Sequence, residues 1–249
     1  MNLGERRRVR LHFRGNLSVF LKGDGADNIV ERDLNEPASV KDVIEACGVP
    51  HPEVNRILVD GEPVGFAHIL RNNCSIDVYP VLFTDEPVTG EPLQARQADR
   101  FVADGHLGKL TRNLRLLGFD VAYDNRAHDS ELLELMEREG RALLTRDRRL
   151  LMHSIVRVGY CPRSDDPSEQ TVEVIRRFDL REKIKPFTRC IQCNGTLHPV
   201  DKAEILEQLE PLTRIYYDEF RRCTGCAKIF WRGSHFSKLE GFLERFRSN

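Results

Sequence analysis

Two kinds of side chain in this sequence are spaced to do chemistry: paired cysteines and recurring aspartates. Cys190 with Cys193 and Cys223 with Cys226 form two CxxC pairs, with 29 residues between them. Each pair puts two thiolates on one tight turn, and two such turns complete the tetrahedral sulfur shell that Zn²⁺ prefers. Gly195 follows the first pair, and Lys228, Phe230 and Trp231 follow the second, which suits zinc-ribbon knuckles. The competing readings are two disulfides or unrelated free thiols. They fit less well, because nothing else marks the chain as secreted. Four sulfurs close the shell, so this zinc is expected to build structure and not perform reactions.

The aspartates point to a second metal chemistry. Asp104, Asp147 and the pair Asp165 and Asp166 each fall at or just past the end of an apolar run, and Asp129 falls just before a helical pattern. Clustered carboxylates repel one another unless cations join them, and oxygen-rich sites suit Mg²⁺ or Mn²⁺. Two such ions about 3.5–4 Å apart can activate a water and stabilise the leaving oxygen of a phosphodiester. For any one aspartate the plain reading is a cap, a turn or a solvated residue; recurrence at strand ends is what argues for a site. Asp124 lies near the same rim and ranks below Asp129. Asp165 and Asp166 are not separable by pattern.

Basic residues surround these acids. Lys109, Arg112 and Arg115 follow Asp104, and Arg146, Arg148 and Arg149 flank Asp147. Each reads either as a phosphate contact or as solvated charge. His106 reads as a substrate or metal contact or as a structural histidine. Lys228, Trp231, Arg232, Ser234 and His235 put an aromatic beside basic and hydroxyl groups, a set that stacks a base and grips a phosphate. Trp231 reads equally well as ribbon core. Gln170 is expected to open a helix and to orient water or substrate.

The elements that position these groups are legible from periodicity. Residues 6–14 and 17–21 alternate polar and apolar, a turn-like 23–27 follows, and they read as strands of an opening hairpin. Ser39 caps a helix from Val40 to about Cys47. Residues 57–64 read as a hairpin turning at Asp60-Gly61, and 74–81 as a further strand. The order β-β-α-β-β suggests a β-grasp fold for residues 1–83. Residues 84–98 hold prolines and a glycine and read as a linker. Residues 99–186 then alternate strands (100–104, 120–123, 141–147, 155–161) with helices (107–117, 130–138 capped by Asp129, 170–180). That alternation implies a parallel sheet covered by helices, with ligands beyond its carboxyl ends. Residues 187–249 are expected to form the zinc ribbon and a C-terminal helix.

Composition sets the class. The chain has 249 residues, 40% hydrophobic and 31% charged, with a net charge of −1. Residues 1–95 carry 10 basic against 15 acidic side chains, and residues 96–249 carry 28 against 24. A mildly basic second half suits a phosphate-rich partner. The start has no signal-peptide core and no stretch reaches membrane-span length, so a cytoplasmic location is the default. Cys47, Cys74 and Cys161 read as small core residues.

Two resemblances sharpen these readings. Residues 39–64 (SVKDVIEACGVPHPEVNRILVDGEPV) resemble the ubiquitin-like sulfur carriers. Those carriers end in an activated Gly-Gly tail, whereas here Val81 runs into LFTDEPVTGEPLQ, so an interaction or packing module is expected. FVADGHLGKLTRNLRLLGFD, DSELLELMEREGRALLTRDRRL, RSDDPSEQ, the double CxxC and WRGSHF resemble the Mut-seven C-terminal RNase family, PIN-like nucleases with an appended zinc ribbon. The resemblance spans about 98–245 and implies a Mg²⁺- or Mn²⁺-dependent ribonuclease. It implies Asp104, Asp129, Asp147 (with Thr145) and Asp165 or Asp166 as the acid set. RNA is the expected partner, with tRNA or 3′ ends as candidate targets, and a protein partner through the β-grasp domain is a further expectation. The alternative is a non-catalytic RNA-binding or adaptor protein, but a mere binder has no reason to gather carboxylates where phosphates dock.

Overall fold

The computed structural model describes residues 7–21, 28–81, 89–94 and 97–233. Three sheet-based units follow one another. In the first, β1 (Arg7–Phe13) turns Val9, Leu11 and Phe13 inward and Arg8 and Arg10 outward, the period-two pattern of a half-buried strand. It pairs with β2 (Ile29–Leu34), antiparallel, and with β7 (Cys74–Pro80), parallel. β4 (Val54–Val59) and β5 (Glu62–Val64) complete the order β2-β1-β7-β4-β5. The β4–β5 turn holds Asp60 (φ 51°) and Gly61 (φ 89°) in the left-handed region, as a primed hairpin turn requires. A short pair, β3 (Ala38–Ser39) with β6 (Ile69–Leu70), lies beside helix α1 (Val40–Ala46). The Ser39 hydroxyl caps α1 by accepting from the Asp42 N–H at 3.1 Å, and Val40, Val43 and Ile44 face the sheet.

The expected strand over 17–21 is instead a 3₁₀ turn, Gly15–Phe20. Leu17 and Phe20 stand three residues apart, which eclipses them on one buried side of a 3₁₀ turn.

The second unit is a four-stranded, wholly parallel sheet. Its strands are β8 (Arg100–Ala103), β9 (Asp120–Tyr123), β10 (Ala142–Leu144) and β11 (Gly159–Tyr160), in the order β11-β10-β8-β9. Its helices are α2 (Gly108–Leu116), α3 (Asp129–Glu139), α4 (Arg148–Leu151) and α5 (Pro167–Arg177). β8, β10 and β11 are largely buried, and the edge strand β9 is half-buried. Phe101 and Ala103 pack with Leu110, Leu114, Val174 and Phe178 from α2 and α5 and their ends. Val102 packs on the other side with Leu132, Leu133 and Met136 of α3. That second core is continuous with the core of the first unit and takes in Leu150, Leu151 and Val156. The stripe Leu107, Leu110, Leu114, Leu117 is buried as its spacing predicts, and Gly118 (φ 98°) ends the helix where a Cβ would lie 2.2 Å from the Lys185 carbonyl oxygen.

Several boundaries differ from the sequence reading: β10 covers only 142–144 of the expected 141–147, and β11, α3 and α5 also shift. β11 is two residues long, because Val156 is spent on the core shared with the first unit. α3 begins at Asp129, with His128 as its cap residue: the His128 N–H donates to Glu131 at 2.7 Å. α5 begins at Pro167, so Gln170 sits inside it and does not open it.

The third unit is a three-stranded antiparallel sheet, β12 (Leu197–Val200), β13 (Phe220–Cys223) and β14 (Ile229–Trp231). Two short helices, α6 (Lys202–Ile205) and α7 (Pro211–Tyr216), occupy the stretch between the cysteine pairs. Ser234, His235 and the expected C-terminal helix lie outside the described residues. Among the described residues no helix is long and apolar enough to cross a membrane.

Candidate active site and four-cysteine centre

The parallel sheet carries acids at its carboxyl rim, and Thr145 joins two of them. Asp104 follows β8, and its N–H continues the ladder to the Leu144 carbonyl at 3.0 Å. Thr145 follows β10 and is fully buried. Its hydroxyl donates to Asp104 Oδ2 at 2.7 Å and accepts the Asp147 N–H at 2.9 Å. One buried hydroxyl thus fixes the Asp104 carboxylate and the backbone of Asp147. Asp147 then caps α4, its Oδ1 accepting from Arg149 N at 2.7 Å and Leu150 N at 3.2 Å.

Beyond β11 a segment from Cys161 to Asp166 carries the remaining acids. Asp165 is exposed and pairs with Arg146 at 2.6 Å, which draws it toward the Asp147 strand end. Asp166 is the cap of α5, accepting from Ser168 N at 2.8 Å and Glu169 N at 2.9 Å. Asp129 stands exposed at the start of α3, and Asp124, directly after β9, accepts from Arg126 N at 2.9 Å in an Asx turn. The aspartates lie along the rim and are not packed into one compact cluster. Among the described residues only the four cysteines bring three or more such ligand atoms within 4.8 Å of one another. The tight unit is Asp104–Thr145–Asp147, with Asp165 reached through Arg146. Mg²⁺ typically uses one or two carboxylates and keeps several waters, so that donor set suits it.

Of the basic residues, Lys109 and Arg112 are exposed on α2, beyond the turn that follows Asp104, and Arg149 is exposed beside Asp147. His106 is exposed on that turn. Arg115 corrects the phosphate-contact reading: it is 4% exposed, and its guanidinium donates to Val121 O, Ile191 O and Gln192 O. It fastens the first cysteine knuckle to the sheet. Arg148 is likewise not free for RNA, because it donates to Val19 O at 2.9 Å and Phe20 O at 2.8 Å in the first unit. Trp231 is half-buried against Tyr217 and Phe220 beside the small core of Ile205 and Leu209, so its core role prevails over base stacking. Arg232 is exposed at the end of the described ribbon. Gln170 is buried and donates to Ser164 O at 2.8 Å, so it holds the acid-bearing segment and does not orient water.

Three positioning residues carry no local sequence signal. Glu173 accepts from Arg163 N at 2.7 Å, Ser164 N at 2.9 Å and the Tyr160 hydroxyl at 3.0 Å. Glu53, from the first unit, accepts from Cys161 N at 2.7 Å and pairs with Arg163. Asp120 accepts from Arg141 at 2.6 Å and Asn194 at 2.7 Å, tying the first knuckle to β9. Burial works against the Asp120 charge, but Arg141 and Asn194 outweigh it and hold the carboxyl below its ordinary pKa.

The cysteine centre repeats one local geometry twice. Cys190 N–H donates to Gly195 O at 2.7 Å, and Cys223 N–H donates to Lys228 O at 2.9 Å. The residue after each pair is left-handed, Asn194 at φ 68° and Ala227 at φ 59°. Gly195 admits the opposite knuckle, since a Cβ there would lie 2.9 Å from Cys223 Sγ. Sulfur separations are 3.7 Å for Cys190–Cys226 and 3.3 Å for Cys193–Cys223. A tetrahedron of sulfurs at Zn–S distances near 2.3 Å has edges of about 3.8 Å, so the four sulfurs are close to a zinc shell. None of the seven cysteines is in a disulfide. Cys47 and Cys161 are buried and Cys74 is half-buried; burial pushes the Cys161 thiol up to about 11, consistent with an inert core residue.

Comparison with known families agrees with this layout. Residues 99–243 match the model of the Mut7-C RNAse domain, and residues 7–85 match that of the Mut7-C ubiquitin domain. No curated protein and no solved structure matches the chain.

Proposed function

The chain belongs to the Mut7-C RNAse domain family, and on that premise we propose that it is a metal-dependent, PIN-like ribonuclease that hydrolyses RNA phosphodiesters. The observation that carries this reading is the Asp104–Thr145–Asp147 unit at the carboxyl rim of the parallel sheet. Asp104 and Asp147 are the residues that would hold Mg²⁺ or Mn²⁺, with Asp165 or Asp166 and Asp129 as outer acids. The bound ion supplies Lewis acidity toward a phosphoryl oxygen and a water activated at neutral pH.

The chain's own residues do the rest. Thr145 donates to Asp104 Oδ2, which fixes that oxygen and leaves Oδ1 directed by it. Asp147 uses Oδ1 as a helix cap, so its orientation is set before any substrate arrives. Lys109, Arg112 and Arg149 neutralise phosphates along the strand, and Arg146 tethers Asp165 until a phosphate competes for it. The four cysteines hold a structural zinc, and the ribbon presents Lys228 and Arg232 to RNA. The units divide as 1–83, 84–98, 99–186 and 187–249. The protein acts in the cytoplasm.

The test is incubation of the purified protein with total cellular RNA and Mn²⁺, beside an Asp104→Asn/Asp147→Asn double variant. Degradation by the wild type alone supports the reading. Identical RNA from both, with binding retained, replaces the nuclease by an RNA-binding protein.

A further inference from the structure

The two acid-bearing segments of the rim are both fastened to the ubiquitin-like domain. Arg148, the neighbour of Asp147, donates to the carbonyls of Val19 and Phe20. Arg163, two residues before Asp165, forms a fork on Glu53, with Nη1 to Oε1 at 2.9 Å and Nη2 to Oε2 at 2.6 Å. The Phe20 ring lies under both guanidiniums, 5.1 Å from that of Arg148 and 4.6 Å from that of Arg163. A single aromatic side chain from the first domain thus touches the arginines that anchor the segments after β10 and after β11.

The character of the Glu53 contact argues for more than adhesion. Glu53 is 0% exposed and also accepts the Cys161 N–H, at the first residue of the acid-bearing segment. A buried ion pair adds little net adhesion over apolar residues of the same size, whereas the fork fixes direction. Adhesion already has another source, because the two domains share one apolar core. The segment is held from its other side by Glu173 and Gln170. It is therefore clamped between α5 and the ubiquitin-like domain.

We infer that the ubiquitin-like domain is a built-in part of the nuclease site, with Glu53 and Phe20 as positioning residues that set the acids after β10 and β11. This rests on the ribonuclease reading. The domain's surface at Phe20, His51 and Glu53 is spent on its own chain: His51 Nε2 also meets the Val156 carbonyl at 2.6 Å.

The test compares full-length wild type, Glu53→Gln, the paired replacement Glu53→Met/Arg163→Met, and Glu31→Gln as a control on the exposed outer strand β2. Three quantities are read: thermal stability, kcat and KM on a labelled RNA with Mn²⁺, and amide hydrogen exchange over residues 161–170. Residues that orient a site from behind commonly contribute 10–100-fold, so Glu53→Gln is expected to lower kcat by about tenfold or more, with KM little changed. Exchange over 161–166 should accelerate. The paired Met variant should recover stability but not kcat, because it restores adhesion without the fork. Recovery of both would show the pair to be only glue and would overturn the inference. So would a Glu53→Gln protein with wild-type kcat and wild-type exchange. If the wild type cleaves no faster than Asp104→Asn, the ribonuclease reading fails instead, and the exchange of 161–166 still decides whether Glu53 orders that segment.

Discussion

Arg112 and Arg115 lie one helical turn apart on α2, yet the structure gives them opposite roles. Arg115→Met tests this most sharply. The guanidinium donates to Val121 O from Nε at 3.0 Å and Nη2 at 2.8 Å, and from Nη1 to Gln192 O at 2.8 Å and Ile191 O at 3.3 Å. Three carbonyls therefore lose a charged donor. Each unsatisfied carbonyl costs about 1–3 kcal/mol, offset in part because the guanidinium's own desolvation is no longer incurred. A net loss of about 3 kcal/mol follows. With m near 1–3 kcal/mol/M in urea, the ribbon's midpoint should fall by about 1–3 M. Trp231 is the only tryptophan and sits in the ribbon, so its fluorescence reports that transition directly. The companion assay is RNA affinity against salt. Arg112→Met should leave the melt unchanged and shallow the salt slope by about 0.7, the share of one single-strand phosphate contact. Arg115→Met measured well below its melting point should keep the wild-type slope. A stable Arg115→Met protein with a shallower slope would refute the assignment of Arg115 to the ribbon.

Removing zinc with a strong chelator under reducing conditions should abolish the Trp231 signal of the folded ribbon, since structural zinc contributes about 10–16 kcal/mol in such modules; an unchanged signal would mean the four cysteines hold no metal. Asp120→Asn should lower stability by about 2 kcal/mol through loss of the carboxylate charge that accepts from Arg141 and Asn194, seen as an earlier Trp231 transition. Because the folded Asp120 carboxyl lies below its ordinary pKa of 3.8, its contribution is present above that pH and is lost as pH falls through the lower folded value. The variant and wild-type melts should therefore converge in strong acid, and a constant gap would show another cause. Thr145→Val keeps the shape and removes both hydrogen bonds at the rim, so cleavage should drop about tenfold without loss of fold; equal rates would remove Thr145 from the site.

What could be read from the sequence depended on how local the physics was. The cysteine pairs are local: spacing alone places two sulfurs on each turn, and the third dimension only had to bring the turns together. The positions of Asp104 and Asp147 were legible because strand ends are; Thr145 came only with the family resemblance, and its bond to Asp104 spans 41 residues. The β4–β5 turn was legible because Asp-Gly demands it. Arg115 was not, because charge on an amphipathic helix reads as solvent-facing until a second unit covers that face. Nor were Glu53 and Arg148, whose partners lie 110 and 128 residues away. Ile155 and Val156 look like sheet because they are apolar, but what covers them is the core shared with the ubiquitin-like domain. Trp231 shows the same ambiguity in reverse: an aromatic beside basic residues suits RNA and a miniature core equally, and only Tyr217, Phe220 and Ile205 decide it.

The central claim is that Asp104, held by Thr145, is a metal-holding carboxylate required for RNA hydrolysis. The initial rate of cleavage of a 5′-labelled single-stranded RNA at saturating Mn²⁺, wild type against Asp104→Asn, tests it most directly. Loss of a charge that stabilises the transition state commonly costs about a hundredfold or more, so the variant should be slower by at least that factor while binding RNA as tightly. A variant that cleaves at the wild-type rate would contradict the account.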